Sequence, residues 1–600
     1  MGSIPEEPRL RARRIVGYRR ARARAGLLGA ATLMALAMPA AFAQTASGGD
    51  SSSGGGGGSL SDTIAAPSPQ SVPAPFLSSA PGSLLGGNPT LPGTAAGVRV
   101  GPLGQQIDQL TAGPLIAAGG WTFTPSIGAQ EMWFSNSGTP AQSPAAYVMT
   151  NIAPALTITA NTPSLQANAT YNPDFMYFSG GLGSDIAENL NASATATLIP
   201  ETLFLDLRGF ATQLSATGGY APGTVNTTNP ANLTQITSFI ITPFLRHQFG
   251  TFGTGEIGYS LGRTAFATPG GGPATATPGL NSFYNSTALS QQEYVAFKNG
   301  DDFGQIIAST LILAEQDTAS GAAPSGHNNL ALQTLGYQLT PRLALLGQIG
   351  YEDIVYSGLP PVRIQDAVWS VGFQYTPTPG SQITAGYGHR DGLDAPFLTA
   401  AYALTARSTL FATYSESIST GATSIQGGVA GSTVDPVGNS LDPTTNAPLL
   451  VANGFYALMP GIFRMQNLSI TETTTFDWAT VSFSLQQMLM KEISQYIGVP
   501  GSSQNGTYGT LSLARPVSQD ITTSAAISYG VLYNGIAPGQ GVAVVPNGNS
   551  DVYSLTLGIT DQLTRTISGS LMYQLSKFSQ RSANTNLLQS MVMLSVNKTF

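Results

Sequence analysis

From Trp121 to the C-terminus, apolar and polar residues alternate in short segments. "WTFTPSIGA" sets Trp121, Phe123 and Ile127 on one face, and Thr122, Thr124 and Ser126 on the other. "NLNASATATL" repeats the pattern with Leu190, Ala192, Ala194, Ala196 and Leu198, and "VWSVGFQY" sets Trp369, Val371, Phe373 and Tyr375 against Ser370, Gly372 and Gln374. A side-chain period of two marks β-strands with one apolar and one polar face. The last segment, "MVMLSVNKTF", spaces Val592, Leu594 and Val596 in the same way and stops on Phe600. A free strand of this kind would be an adhesive edge in water. Pairing with the first strand, with the apolar face toward lipid, removes the edge and explains the alternation.

The polar face separates this reading from a soluble sandwich. It carries Thr, Ser, Asn, Gln and Gly with few charges, as expected of a lumen rather than a water-exposed surface. Connections alternate in length. Short turns such as "IPET" (199–202), "QFGTFG", "LTPR" (339–342), "TPTPGS" (376–381), "TARS" (405–408) and "DQLTR" (561–565) lie between long loops near 215–234, 266–283, 317–327, 417–462, 497–507 and 535–550. Short periplasmic turns and long extracellular loops are the outer-membrane layout. Hairpins centred near 162, 200, 250, 300, 340, 378, 407, 474, 516 and 563, with one strand added at each end, predict an all-β, closed antiparallel transmembrane β-barrel. It has about 22 strands (range 20–24) over residues 119–600.

Composition sharpens this picture. Charged residues are 9% of 600, and glycine numbers 70; ordinary soluble domains hold roughly 25% charged residues. There is no cysteine, which excludes disulfides, thiolate catalysis and Cys-ligated metals. At the N-terminus eight arginines precede "AGLLGAATLMALAMPAAFA". A basic region, a short apolar core and a small-x-small ending predict a signal peptide over 1–43, cleaved between Ala43 and Gln44. Its removal takes eight arginines and two glutamates from the 24 basic and 31 acidic residues, leaving 16 and 29 and a net charge of −13. That balance argues against a nucleic-acid partner. Residues 44–118 contain "SGGDSSSGGGGGSLSD" near their start and continue Pro-rich; they read as a disordered periplasmic linker or plug.

Several hairpins carry a family resemblance. "LIPETLFLDLRGFATQ", "SFIITPFLRHQFGTFGTGEIGYS", "LGYQLTPRLALLGQIGYED", "VWSVGFQYTPTPGSQITAGYGHR" and "LTARSTLFATYSES", in that order, resemble the outer-membrane barrels associated with the PEP-CTERM/exopolysaccharide system, from about Trp121 to Phe600. The resemblance implies a large barrel in the bacterial outer membrane that accompanies exopolysaccharide production and export, with exopolysaccharide and its export proteins as partners. It brings no catalytic residue. The C-terminal Leu594, Val596 and Phe600 also resemble the signal read by the barrel assembly machinery. Lys598 departs from that signal, which usually has an apolar or aromatic residue there.

Candidate chemistry is sparse. His247, His327 and His389 fall on different hairpins, without metal-ligand spacing. "GHRDG" (388–392) lacks a phosphate-binding loop, and "DGLDAP" (391–396) could offer loop oxygens to calcium but reads more simply as a solvated loop. No metal, no cofactor and no enzyme activity are expected. An outer-membrane hydrolase would need a nucleophile beside a base such as His389. Asp206, Arg208, Glu256, Arg342 and Glu352 are the charged candidates for lining the lumen. The functions in view are exopolysaccharide passage through a water-filled or plugged lumen, a general porin or solute channel, and a structural barrel whose loops bind surface polymer.

Overall fold

The computed structural model describes residues 116–600 except 119, 136–145, 180–182, 216–232, 268–284, 322, 379–380, 421–432, 435–439, 442–460, 496–501, 537–547 and 581–584. The signal peptide, its Ala43–Gln44 cleavage point and residues 44–115 of the low-complexity segment lie outside the described residues.

Twenty-two antiparallel strands form one sheet that closes on itself. In chain order they are β1 Trp121–Ser135, β2 Tyr147–Asn161, β3 Leu165–Tyr171 continued by Asp174–Phe178, β4 Gly183–Ala187 continued by Leu190–Ile199, β5 Leu203–Ser215, β6 Leu233–Gln248, β7 Gly253–Ala267, β8 Thr287–Asn299, β9 Ile306–Ser320, β10 Gly326–Thr340 and β11 Leu343–Tyr356. The second half holds β12 Val362–Tyr375, β13 Gln382–Arg390, β14 Leu393–Thr405, β15 Ser408–Thr420, β16 Ile462–Thr475, β17 Thr480–Ser494, β18 Ser502–Pro516, β19 Ile521–Ile536, β20 Gly548–Thr564, β21 Ile567–Gln580 and β22 Thr585–Thr599. Each strand pairs with its sequence neighbours. β22 pairs with β1 from Ser126↔Thr599 to Ser135↔Ser590. Phe600 donates its N–H to the Pro125 carbonyl, 3.0 Å. A short strand, Ile116–Ala118, pairs with Trp121–Phe123 on the part of β1 that β22 does not reach.

The faces are inverted relative to a soluble protein. Ile349 is 66% exposed, Val371 61% and Ile527 61%, while their neighbours Gln348, Ser370 and Ser528 are buried. Large apolar side chains pointing away from the barrel would be unstable in water and are at home in hydrocarbon. Aromatic residues gather at the short-turn end: Phe252 lies 5.4 Å from Phe303 and 5.8 Å from Phe297, and Phe476 stacks on Trp478 at 5.9 Å. Aromatic rings at a membrane interface keep an apolar body in lipid and an edge near water. The chain is a transmembrane barrel of the outer-membrane kind, with lipid around its outer face.

Two expected long loops are short connections. β9 runs to Ser320 and β10 starts at Gly326, and β18 starts at Ser502. The strands here are 15 residues long, or about 50 Å at ~3.3 Å per residue, whereas the lipid band is only about 25 Å tall. Beyond the band both faces meet water, the alternation disappears, and strand reads as loop. "DGLDAP" is likewise no open loop. Asp391 (φ 53) and Gly392 (φ 63) form a two-residue turn with both residues left-handed, the backbone a tight hairpin of the I′ kind requires; Leu393 onward is β14.

Candidate functional site

The inner wall follows from parity. On β5 the residues Phe204, Asp206, Arg208 and Phe210 share the inner face, and on β6 Phe244 and Arg246 do so. Glu256 on β7 is the direct cross-strand partner of Arg246, and Tyr294 on β8 is that of Gly258. An ionic cluster results. Arg246 Nη2 donates to Glu256 Oε2 at 2.8 Å and Nε donates at 3.0 Å; Tyr294 Oη donates to Glu256 Oε1 at 2.7 Å. The Arg246 guanidinium lies over Phe204 (5.6 Å) and Phe244 (5.3 Å), which stack at 5.2 Å. Gly258 makes the arrangement possible: a Cβ there would stand 2.5 Å from the Tyr294 ring. Beside it Arg208 Nε donates to Asp206 Oδ1 at 3.0 Å, and Thr195 Oγ1 donates to Asp206 Oδ2 at 3.2 Å.

Four of the five charged candidates stand on the inner face, but in two places. Asp206, Arg208 and Glu256 belong to the β5–β8 cluster. Glu352 on β11 is buried and accepts the Gly392 N–H at 3.1 Å. Arg342 does not face the lumen at all. It sits exposed in the β10–β11 turn, where its carbonyl accepts the Thr376 N–H at 2.8 Å. "LTPR" places Arg342 one residue before β11, so strand parity does not govern it.

Sequence reasoning missed Arg246 and Tyr294. It also missed an apolar patch on the inner face, where Phe244, Tyr294, Leu311, Leu313, Leu330, Leu332 and Val368 cluster. The signal was present: "TLILA" and "NLALQTLGY" are apolar on both parities, which a strictly polar lumen does not allow. A second apolar cluster lines the inner face beside the β22–β1 closure, with Met132, Phe134, Met149, Phe178, Met572 and Met591 among its members; other stretches are hydroxyl and amide. Thr242 Oγ1 donates to Ser260 at 2.9 Å, Ser370 Oγ donates to Gln348 Oε1 at 3.0 Å, and Gln348 Nε2 donates to Thr334 at 3.2 Å.

The second charged place is the tip of the β13–β14 hairpin. Arg390 and Asp391 are both buried. Burial pushes the Asp391 carboxyl above its ordinary range, against the opposing pull of the Arg390 guanidinium. Asp391 Oδ2 accepts the Ile418 N–H of β15 at 3.1 Å. His389 lies between two carboxylates, with Nδ1 2.7 Å from Asp394 and Nε2 3.1 Å from Asp366. Both ring nitrogens therefore face acids rather than a hydroxyl, which is not the arrangement of a base beside a nucleophile.

The Arg246–Glu256 pair yields a test. Glu256→Gln removes the negative partner of a largely buried guanidinium and weakens the Tyr294 bond. Breaking a buried pair on one side costs about 3 kcal/mol. The expected result is a fall of that size in urea unfolding of barrel folded into vesicles. The double change Arg246→Met/Glu256→Gln recovers most of it.

No family model matches the sequence, and no curated protein matches it. Among solved structures, the FrpB iron transporter of Neisseria meningitidis (F5-1 variant, apoprotein form) aligns with a TM-score of 0.48 at 11% identity, over 80% of this chain and 81% of that one. The ferric-catecholate import receptor Fiu of E. coli K12, in its open form, gives 0.45 at 12% over 80% and 81%. The copper transporter OprC gives 0.39 at 12% over 80% and 80%.

Proposed function

We propose that this barrel carries a neutral, polar polymer of the exopolysaccharide class across the outer membrane. The observation that carries the reading is the inner wall's chemistry. Away from the apolar patches it is built of hydroxyls and amides such as Thr242, Ser260, Gln348 and Ser370, buried and bonded to one another in this structure, and some of its charges are tied into pairs such as Arg246–Glu256 and Arg208–Asp206. Hydroxyl and amide groups exchange hydrogen bonds with sugar hydroxyls at nearly constant energy along a chain, so a polymer meets no deep trap. Where the charges are paired they leave little net field to select an ion. The family resemblance of the hairpin sequences points the same way, and exopolysaccharide export proteins and the barrel assembly machinery are the partners it implies.

The test is a planar-bilayer recording of the refolded mature chain, titrated with neutral oligosaccharides and with small salts. Transient block by oligosaccharide, with weak preference between cations and anions, is the expected result. Strong ion selectivity without saccharide block would favour a general solute channel. Inserted barrel that never conducts would leave a structural role in holding surface polymer.

A further inference from the structure

The wall of the barrel is incomplete at one place. β13 has nine residues, while β12 has 14 and β15 has 13. The β12–β13 ladder runs from Tyr375↔Ile383 only as far as Trp369↔His389, although β12 continues to Val362. The β14–β15 ladder stops at Leu398↔Tyr414, although β15 runs on to Thr420. Above these points the neighbouring strands have no barrel strand between them among the described residues. A cylinder built this way has a notch in its side. The notch begins where Trp369 and Tyr387 lie on the outer face, 6.3 Å apart, and such rings mark the membrane interface.

Three contacts close the notch. The hairpin tip fills its base: Gly392 N–H bonds Glu352 on β11, and Asp391 accepts the N–H of Ile418 on β15. Above the tip an apolar cluster joins the two flanks, with Ile354, Tyr356 and Val362 from β11 and β12 against Ile462 from β16, and with Ile418 and Ile493 packed on it. At the top the β11–β12 connection reaches across to the end of β17. Leu359 N–H bonds the Gln495 carbonyl at 2.9 Å, Gln495 N–H bonds the Leu359 carbonyl at 3.0 Å, and Ser494 Oγ donates to the Pro360 carbonyl at 2.5 Å. Gly358 lies so close to this end that a Cβ would stand 2.0 Å from Ser494 Oγ.

We propose that this seam is a lateral portal, closed in this structure, through which the lumen opens sideways at the outer interface. A continuous wall is held by ladders of ten or more paired residues, such as β1–β22. The seam is held by two hydrogen bonds from the hairpin tip, one two-bond bridge, one hydroxyl bond and a small apolar cluster. Among the described residues it is therefore the part of the upper wall that separates at least cost, and separation leaves the rest of the barrel's ladders intact. Its cargo is the polymer proposed above, delivered to the cell surface beside the barrel; to that extent it rests on the transport reading.

The absence of native cysteines makes the test clean. In the double variant Leu359→Cys/Gln495→Cys the two residues form a reciprocally bonded antiparallel pair, whose Cα atoms stand about 5.5 Å apart, within disulfide range. Oxidation locks the seam. Gly358→Val wedges it by forcing a side chain against Ser494, and Ser494→Ala loosens it without added bulk. All variants are checked for folding by heat-modifiable migration. The first readout is labelling of a reporter cysteine, Val362→Cys, by a membrane-impermeant maleimide in the wild-type, wedged and loosened backgrounds. At least tenfold faster labelling in the wedged or loosened background is expected; equal rates overturn the portal. The second is bilayer conductance of the lock with and without reductant. Larger or more frequent openings on reduction are expected, and a conducting barrel indifferent to the lock also overturns the portal. If no form conducts, the transport reading fails, while the labelling rates still decide whether the seam opens.

Discussion

A chain ending at Gln580 does not assemble as a barrel. Removing residues 581–600 deletes β22, which pairs along its whole length with β21 and over ten residues with β1. Two strand edges are then exposed inside the hydrocarbon. Backbone N–H and C=O groups there have no water to bond, and each unsatisfied group costs several kcal/mol. The sum exceeds the whole stability of an ordinary domain, about 5–15 kcal/mol. β20 and β2 cannot compensate, because their edges are already taken by β19, β21, β1 and β3. The expected outcome is loss of the heat-modifiable band from outer-membrane fractions, with the chain degraded. Phe600→Ala is milder. It keeps the Phe600–Pro125 backbone bond and loses the ring over which Lys598 Nζ lies at 4.8 Å, so folded barrel still forms but in reduced amount. Normal amounts of folded barrel from the truncated chain would refute closure by β22.

Ile527→Arg destabilises the folded barrel by about 2–4 kcal/mol, the cost of a cationic side chain near the bilayer midplane on the lipid face of a barrel. Ile527 is flanked across the sheet by Leu511 and Leu555, so no acid stands beside it on either neighbouring strand to pair with an arginine. One residue on, Ser528 faces inward and shares a hydrogen bond with Thr510 at 3.2 Å. Ser528→Ala removes that bond and costs about 1 kcal/mol. Urea unfolding of barrel refolded in vesicles reads both values. Equal costs at the two positions would mean that the assignment of the faces is wrong.

The barrel was legible because its period is local. Alternation at Trp369, Val371, Phe373 and Tyr375 states which face meets lipid without knowledge of any partner strand. The ten short turns mark where the chain reverses, and an even strand count follows from them. Legibility failed where the lipid stops imposing a pattern. Gln316, Thr318 and Asn329 sit on strands that project past the membrane, and there strand and loop have the same composition. The site was less legible than the fold. Asp206, Arg208, Glu256 and Glu352 could be placed on inward parities, but parity does not say which strands lie side by side at which register. The Arg246–Glu256–Tyr294 contact depends on two ladders meeting in register and on Gly258 leaving room for a ring.

The sequence by itself determined that this chain is a closed β-barrel in lipid, with its first and last strands paired, since period, turn spacing and the lack of charge are all one-dimensional facts. Tertiary structure alone decided that Arg342 lies at the rim, and that β13 ends early enough to leave a notch sealed by residues far apart in the chain. Leu359 and Gln495 show the reason. Their reciprocal hydrogen bonds join the two sides of a gap, and nothing in either residue's own neighbourhood announces the other.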